Sequence, residues 1–214
     1  AAGPRYADHV SLWSKYVLPR LVESACKSRE ILEERKRWVP EARGRVLELG
    51  VGSGLNLAFY DSARAESVTG VDPSPELLAK CAPRAREAKV PVELVLGHAE
   101  RLDFAQGAFD TVLATYTLCS VLDPARVLAE VRRVLAPGGE LLFVEHGISP
   151  DAGVRRWQRR LTPAWSRCGG GCRLDRDLPR ALRDAGYRVE DLRSHYGDGP
   201  RVLSFTFEGR AQPA

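Results

Sequence analysis

Apolar positions follow two regimes along this chain: a helical period near the start, then short unbroken runs. Val10, Trp13, Val17 and Leu21 fall at i, i+3, i+7 and i+11, one stripe of an amphipathic helix. Pro19 lies inside that stripe and predicts a kink or a restart. Ser28 to Val39 is heavily charged and stops before Pro40, so residues 1–40 read as an N-terminal helical addition.

From Arg45 the pattern changes. Arg45 to Leu49, Ser67 to Val71, Val92 to Leu96, Phe109 to Ala114 and Glu140 to Val144 are short and rich in Val, Leu or Phe. Such runs mark strands buried on both faces of a parallel sheet. Glu76 to Ala88 is helical, with Ser74 as cap and Pro75 in the first turn. A second helix, Pro124 to Leu135, ends at Pro137-Gly138-Gly139, read as a stop and a turn. Strand and helix in alternation predict a doubly wound α/β sheet. Tyr187 to Leu192 and Arg201 to Phe207 are joined by Arg193 to Pro200, which holds two glycines and a proline but no helix. Two strands joined that way are expected to be antiparallel neighbours, completing seven strands. There is no internal repeat and no interdomain linker.

Composition narrows the class without naming the function. The 214 residues are 44% hydrophobic and 28% charged, ordinary for a globular chain of one domain. No apolar run approaches the ~18 residues of a membrane-spanning helix. The first six residues lack a charged-then-apolar signal pattern. The sequence contains no methionine, so its first residue is read as lying after the initiator. The net charge is +4, carried by 27 Arg and 5 Lys against 28 acids, a mild excess that argues for no nucleic-acid partner. Five cysteines, Cys26, Cys81, Cys119, Cys168 and Cys172, are an odd number in a chain of ordinary size, so a reducing cytoplasm is expected rather than a disulfide scaffold.

The first chemical signal is Glu48-Leu49-Gly50-Val51-Gly52-Ser53-Gly54, a G-x-G-x-G turn between the first strand and a predicted helix. Glycines there let the backbone turn tightly and approach a ligand. Alone this is weak, because many loops hold three glycines. Asp72 closes the second strand 18 residues past Gly54, where an acid in a doubly wound sheet bonds ribose hydroxyls. Together they predict a nucleoside-type cofactor. The dinucleotide fingerprint wants its third glycine at position 55, which is Leu55 here. Glu48 beside the loop would repel a pyrophosphate and favour an ammonium or sulfonium group. The reading moves from NAD to S-adenosylmethionine.

Four blocks carry a family resemblance: Val46 to Gly54, Gly70-Val71-Asp72-Pro73-Ser74, Phe109-Asp110, and Val131 to Gly139. In this order they resemble the class I S-adenosylmethionine-dependent methyltransferases, with their Rossmann-like fold. The resemblance implies that Gly50, Gly52, Ser53, Gly54 and Thr115 border the methionine part and that Asp72 and Pro73 border the ribose. His98, Ala99 and Glu100 match the stretch beside adenine. Many relatives have aspartate where this chain has His98, so a side-chain bond from position 98 to adenine is not implied, while the backbone amide of Ala99 remains able to contribute.

The acceptor side is read from Ala114 to Val121. No Asn-Pro-Pro-Tyr motif of the kind that binds a planar amine is present. Thr117 to Val121, Glu145-His146, Leu161 to Trp165 and Gly171 to Arg176 resemble the animal alkyl-thiol S-methyltransferases and their bacterial look-alikes. The animal enzymes carry an N-terminal membrane helix with no apolar counterpart here. The expected reaction is methyl transfer to a small lipophilic acceptor, a thiol first. C-, O- or N-methylation of a quinol, phenol or lipid amine is the alternative. A non-catalytic cofactor-binding or RNA-associated protein is the different-class alternative, and no aromatic-and-basic single-strand platform supports it.

Acceptor-side residues are candidates on that basis. His146 is read as a general base or as a structural hydrogen bond. Cys119, a candidate on the substrate side, is read as a nucleophile or as a small buried hydrophobe next to the strand, and the second is favoured because methyl transfer from a sulfonium needs no covalent enzyme intermediate. Cys168-x-x-x-Cys172 suggests a metal only faintly: no matching His or Cys cluster is visible nearby, so no metal is expected. Gly169-Gly170-Gly171 reads as a flexible bend. Val154, Trp157, Leu161 and Trp165 share one helix face beside Arg155, Arg156, Arg159 and Arg160. That helix either lies on a membrane surface or packs its tryptophans over the active site, and the second is favoured because Pro163 limits its length. The chain therefore divides into a helical lid over 1–40 and a methyltransferase domain over 41–214. A substrate-covering insertion is placed at about 150–176, and Trp13, Tyr16, Tyr116, Trp157 and Trp165 are placed near the acceptor. The pocket is expected to be apolar and aromatic.

Overall fold

The computed structural model describes residues 28–214. The predicted stripe from Val10 to Leu21, with Trp13 and Tyr16, lies outside them, as does Cys26. The first described element, α1 (Arg29–Trp38), starts where Ser28 Oγ caps the Ile31 N–H. A 3-10 turn at Val39–Glu41 leads into the sheet.

Seven strands follow: β1 (Gly44–Leu49), β2 (Ala65–Asp72), β3 (Val92–Leu96), β4 (Phe109–Thr115), β5 (Leu135–His146), β6 (Tyr187–Tyr196) and β7 (Phe205–Pro213). Their order across the sheet is β3-β2-β1-β4-β5-β7-β6. β1 pairs in parallel with both β2 and β4, so the chain reverses its winding direction between β1 and β4. In an open α/β sheet that reversal leaves a crevice at the carboxyl ends of the two strands, the usual place for a ligand. β7 is antiparallel to β5 and to β6, as the short connection predicts.

The helices cover both faces. α2 (Pro75–Glu87) and α3 (Pro124–Val134) each begin at a capping side chain, Ser74 and Asp123, followed by proline. α4 (Ala152–Cys168) and α5 (Leu178–Asp184) complete the set. One core packs Leu47, Leu49, Val112 and Phe143 against Val127, Leu128 and Val131 of α3 and Leu182 of α5. On the other face Val46, Leu113, Leu142 and Val144 meet Trp38, Leu57, Tyr60 and Cys81. Alternate residues of each central strand thus enter opposite cores, and apolar runs rather than alternation mark the parallel sheet.

Three expectations change. Gly54 to Asp61 is a series of turns, with Leu57 N–H bonding Gly54 O and Phe59 N–H bonding Asn56 O, not the predicted helix. The Asn56 side chain is drawn inward to buried partners there. Pro137-Gly138-Gly139 lies inside β5: Leu135 pairs with Phe109 and Glu140 with Thr111, so the residues between loop out and the strand resumes. The last strand runs Phe205–Pro213 rather than Arg201 to Phe207. Its polar residues find buried partners that the sequence does not reveal: Glu208 accepts the indole N–H of Trp38 at 2.9 Å, and Arg210 reaches Glu140 at 3.3 Å.

Candidate active site

The glycine turn leaves β1 at the crevice. Asp72, 5% exposed at the end of β2, accepts the Gly52 N–H on Oδ2 and the Ser74 N–H on Oδ1, both at 2.9 Å. Burial raises its carboxyl above the ordinary range, against the pull of those two N–H groups and of the His98 charge. The glycines do different jobs. A Cβ on Gly54 would lie 2.6 Å from Cys81 Sγ, so Gly54 serves the packing of α2. A Cβ on Gly52, at φ +55°, would meet nothing nearer than the Gly50 carbonyl at 3.8 Å, so the space before it is open. Arg84 from α2 fixes the turn by donating to Ser53 O at 2.5 Å. Pro73 and His98 are exposed beyond Asp72, Ala99 is buried, and Glu100 Oε1 accepts the Leu122 N–H at 3.0 Å.

Behind the turn lies a buried polar network. Glu48 is 1% exposed; Oε1 accepts Asn56 Nδ2 at 2.8 Å and Oε2 accepts the Tyr60 hydroxyl at 2.7 Å. Burial pushes Glu48 up to about 7 despite both bonds. Thr115 Oγ1 accepts Asn56 Nδ2 at 3.0 Å and Arg35 Nη1 at 3.3 Å, and Arg35 also bonds Asn56 Oδ1. Sequence reasoning missed Arg35, Asn56 and Tyr60. Arg35 is a buried cation brought in by α1, and its Nε has no partner among the described residues. The open front of Gly52, a buried Asp72 with one bond per oxygen, and the orphaned Arg35 Nε fit a nucleoside-bearing amino-acid cofactor that has hydroxyls and a carboxylate.

On the β4 side the chain turns sharply at Tyr116, φ +56°, a conformation costly for a bulky residue and typical of functional sites. Its hydroxyl donates to Glu34 of α1, and its ring lies 4.7 Å from that of His146. Glu145, fully buried on β5, organises the loop that follows. Oε1 accepts the N–H groups of Thr117 and Leu118, each at 2.8 Å, and Oε2 accepts that of Cys119 at 2.9 Å.

Beside this loop the structure corrects the cysteine reading. Cys168, at the end of α4, is exposed, so it makes no pair with Cys172. Cys172 turns inward instead: its Sγ lies 3.7 Å from His146 Nδ1, and Cys119 joins them. The bond between the thiols and burial push Cys119 well above the ordinary thiol range, and the same bond holds Cys172 below it. A His and Cys cluster therefore exists where none was expected, assembled from β4, β5 and the turn after α4. Gly169 to Gly171 is no loose bend. A Cβ on Gly171 would lie 2.9 Å from Ser120 O, and Arg173 N–H bonds Cys119 O at 2.9 Å.

A cavity of about 340 Å³ opens at this point, its wall including Leu118, Cys119, Glu145, His146 and Arg176. Among the described residues no Trp, Tyr or Phe lines it, in place of the aromatic lining expected, and Arg173 and Asp177 do. The tryptophan face of α4 meets the site only at its end, where the Trp165 side chain hydrogen-bonds Cys172. Trp157 is 53% and Trp165 36% exposed, and Leu161 is exposed beside them. The helix rests on Gln158 and Thr162, because Gln158 serves the Ser149 N–H at 2.8 Å and the Gly147 carbonyl at 3.0 Å.

Residues 47–143 match the methyltransferase domain family. The chain is 37% identical over 167 residues to thiol S-methyltransferase TMT1B of Homo sapiens, covering 75% of this chain and 67% of that protein. It is 33% identical over 186 residues to thiol S-methyltransferase TMT1A of Homo sapiens, covering 82% and 75%. Against the Rattus norvegicus TMT1B it spans 61% of the relative's length, at 38% identity and 69% of this chain. Among solved structures, an S-adenosylmethionine-dependent methyltransferase from Mesorhizobium loti superimposes with a TM-score of 0.65 at 21% identity, covering 86% and 98%. That likeness concerns the fold.

Proposed function

This chain belongs to the class I S-adenosylmethionine-dependent methyltransferases, and we propose that it methylates a small lipophilic acceptor, with a thiol as the first choice. One observation carries the thiol reading. The similarity to the thiol S-methyltransferases extends over 167 residues, a longer stretch than the 47–143 domain match.

The roles follow from the geometry. The cofactor, when bound, supplies an electrophilic methyl group on a sulfonium. In this proposal Asp72 takes the ribose hydroxyls with the lone pairs that Gly52 and Ser74 leave, and the turn Gly50 to Gly54 receives the methionine part. Thr115 and Arg35 close that end, Glu48 holds Asn56 and Tyr60 behind the turn, and the stretch His98-Ala99-Glu100 borders the base. The acceptor enters the cavity beside Cys119 and His146, with Tyr116 fixing the wall between acceptor and cofactor. Alignment and exclusion of water do most of the work. A thiol suits such a site, because a fraction is already thiolate at neutral pH. α1 closes the crevice through Glu34 and Arg35, the described part of the lid proposed for residues 1–40. Among the described residues no helix is long and apolar enough to cross a membrane. A cytoplasmic setting, which would keep Cys81, Cys119, Cys168 and Cys172 as free thiols, belongs to the same proposal.

The test is incubation with methyl-labelled S-adenosylmethionine and a panel of thiols, phenols, quinols and amines. Label in a lipophilic thioether supports the reading. Label in a quinol or lipid amine, with no thiol methylated, overturns it.

A further inference from the structure

Three soft ligand atoms converge at the wall of the acceptor cavity. Cys119 Sγ comes from the loop after β4, His146 Nδ1 from the end of β5 and Cys172 Sγ from the turn after α4, and all lie within 4.8 Å of one another. Cys172 Sγ and His146 Nδ1 are 3.7 Å apart. A tetrahedral zinc ion, with bonds of about 2.3 Å to sulfur and about 2.0 Å to nitrogen, sets such ligands about 3.5 Å apart. The observed spacing thus needs only a small contraction to close on a metal.

The three donors are held by bonds that need no metal. Glu145 fixes the Cys119 N–H at 2.9 Å, the Cys119 carbonyl accepts the Arg173 N–H at 2.9 Å, and Leu174 is buried against both cysteines. Two thiolates and one imidazole are a zinc ligand set, and three protein ligands leave the fourth position for water or substrate. Cys119 and His146 line the cavity, so the fourth position lies on that side. Charge also balances. Two thiolates neutralise the dication. The Arg176 guanidinium, whose Nε and Nη1 have no partner among the described residues, lines the same cavity and offsets the buried Glu145 carboxylate there.

We propose that Cys119, His146 and Cys172 form a three-ligand site for a thiophilic divalent cation of the zinc type, and that its open position binds the acceptor sulfur as a thiolate. This rests on the thiol-methylation reading. The acceptor S–H bond breaks as the metal–sulfur bond forms, and the proton passes to water. A lone pair of the bound sulfur then forms the new S–CH3 bond while the donor's C–S bond breaks and its electron pair stays on the donor sulfur. The product is a neutral thioether, a weak ligand that leaves. The metal would thereby convert the acceptor wholly to thiolate at neutral pH, in place of the few per cent that a free thiol offers.

The test uses the full chain, stripped with a chelator under reducing conditions and titrated with Co2+. The expected result is one cobalt per chain, with a sulfur-to-cobalt charge-transfer band and the intense visible bands of tetrahedral cobalt, displaced by Zn2+. Cys119→Ser and Cys172→Ser should each weaken binding at least tenfold, while Cys168→Ser leaves it unchanged. Calorimetric binding of S-adenosylmethionine serves as the check that each variant is folded. Adding a lipophilic thiol should shift the cobalt bands. No tight cobalt binding, or binding unaffected in a folded Cys172→Ser protein, overturns the site. Full-rate thiol methylation by the metal-free protein overturns the metal's role and leaves the thiol reading standing. Cobalt bands that no thiol shifts, in a protein that methylates only quinols or amines, support the ligand set and overturn the thiol reading.

Discussion

Asp72 Oδ2 accepts the N–H of Gly52 at 2.9 Å, which joins the acid at the end of β2 to the glycine turn after β1. The two features that read as separate sequence signals are therefore one structural unit. Asp72→Ala removes the proposed ribose partner and releases the turn. With charge-assisted bonds of about 1.5–3 kcal/mol, affinity for S-adenosylmethionine and for its demethylated product should both fall ~10–100-fold by calorimetry. Parent protein that binds NAD and neither of these ligands would contradict the assignment of the site.

Glu145 makes a sharper structural prediction. It alone satisfies the N–H groups of Thr117, Leu118 and Cys119 from a fully buried position. Glu145→Ala leaves those donors without their acceptor and should destabilise by about 3 kcal/mol, lowering Tm by ~6–12 °C. Glu145→Gln keeps one accepting oxygen and should lose less. A Tm for Glu145→Ala within a degree or two of the parent would show that the loop stands by itself.

What the sequence made legible was local. Gly50, Gly52, Gly54 and Asp72 can be read from spacing because a turn and a strand end are each set by a few neighbouring residues. The cap at Ser74 and the apolar runs of β1 to β4 are similarly short-range. What stayed hidden depends on contacts between distant segments. Cys172 is 26 positions from His146 and 53 from Cys119, so its neighbour in sequence, Cys168, was the misleading partner. Arg35 lies in a charged helix and gives no sign that it will be buried against Asn56 and Thr115. The end of β7 reads as a polar tail until Trp38 and Glu140 appear beside Glu208 and Arg210.

Glu48 predicts a pH dependence with a definite sign. Burial raises its carboxyl from 4.5 to about 7 in the folded chain. Between those values the folded state holds more protons at this group than the unfolded state does. Its contribution is therefore destabilising as pH rises from about 4.5 to about 7, and constant above. The shift corresponds to roughly 3 kcal/mol. Glu48→Gln should remove this slope. Urea unfolding of parent and variant at pH 5 and pH 7.5 isolates the difference, and equal slopes for both proteins would show that Glu48 ionises normally.

The last prediction separates the two faces of α4, where the amphipathic pattern misleads. Its tryptophans look like the packing face, yet Trp157 is 53% exposed and the polar Gln158 is 1% exposed. Gln158 accepts the Ser149 N–H and donates to the Gly147 carbonyl, both buried just past β5. Gln158→Leu, although more apolar, leaves a buried donor and a buried acceptor unpaired. It should cost about 2–4 kcal/mol and lower Tm by several degrees. Trp157→Ala truncates a side chain that is only half buried and should cost less, about 1–2 kcal/mol. Thermal unfolding of the two variants decides the matter. The reverse ranking, with Trp157→Ala the more damaging, would mean that the tryptophan face packs against the fold as its sequence pattern suggests.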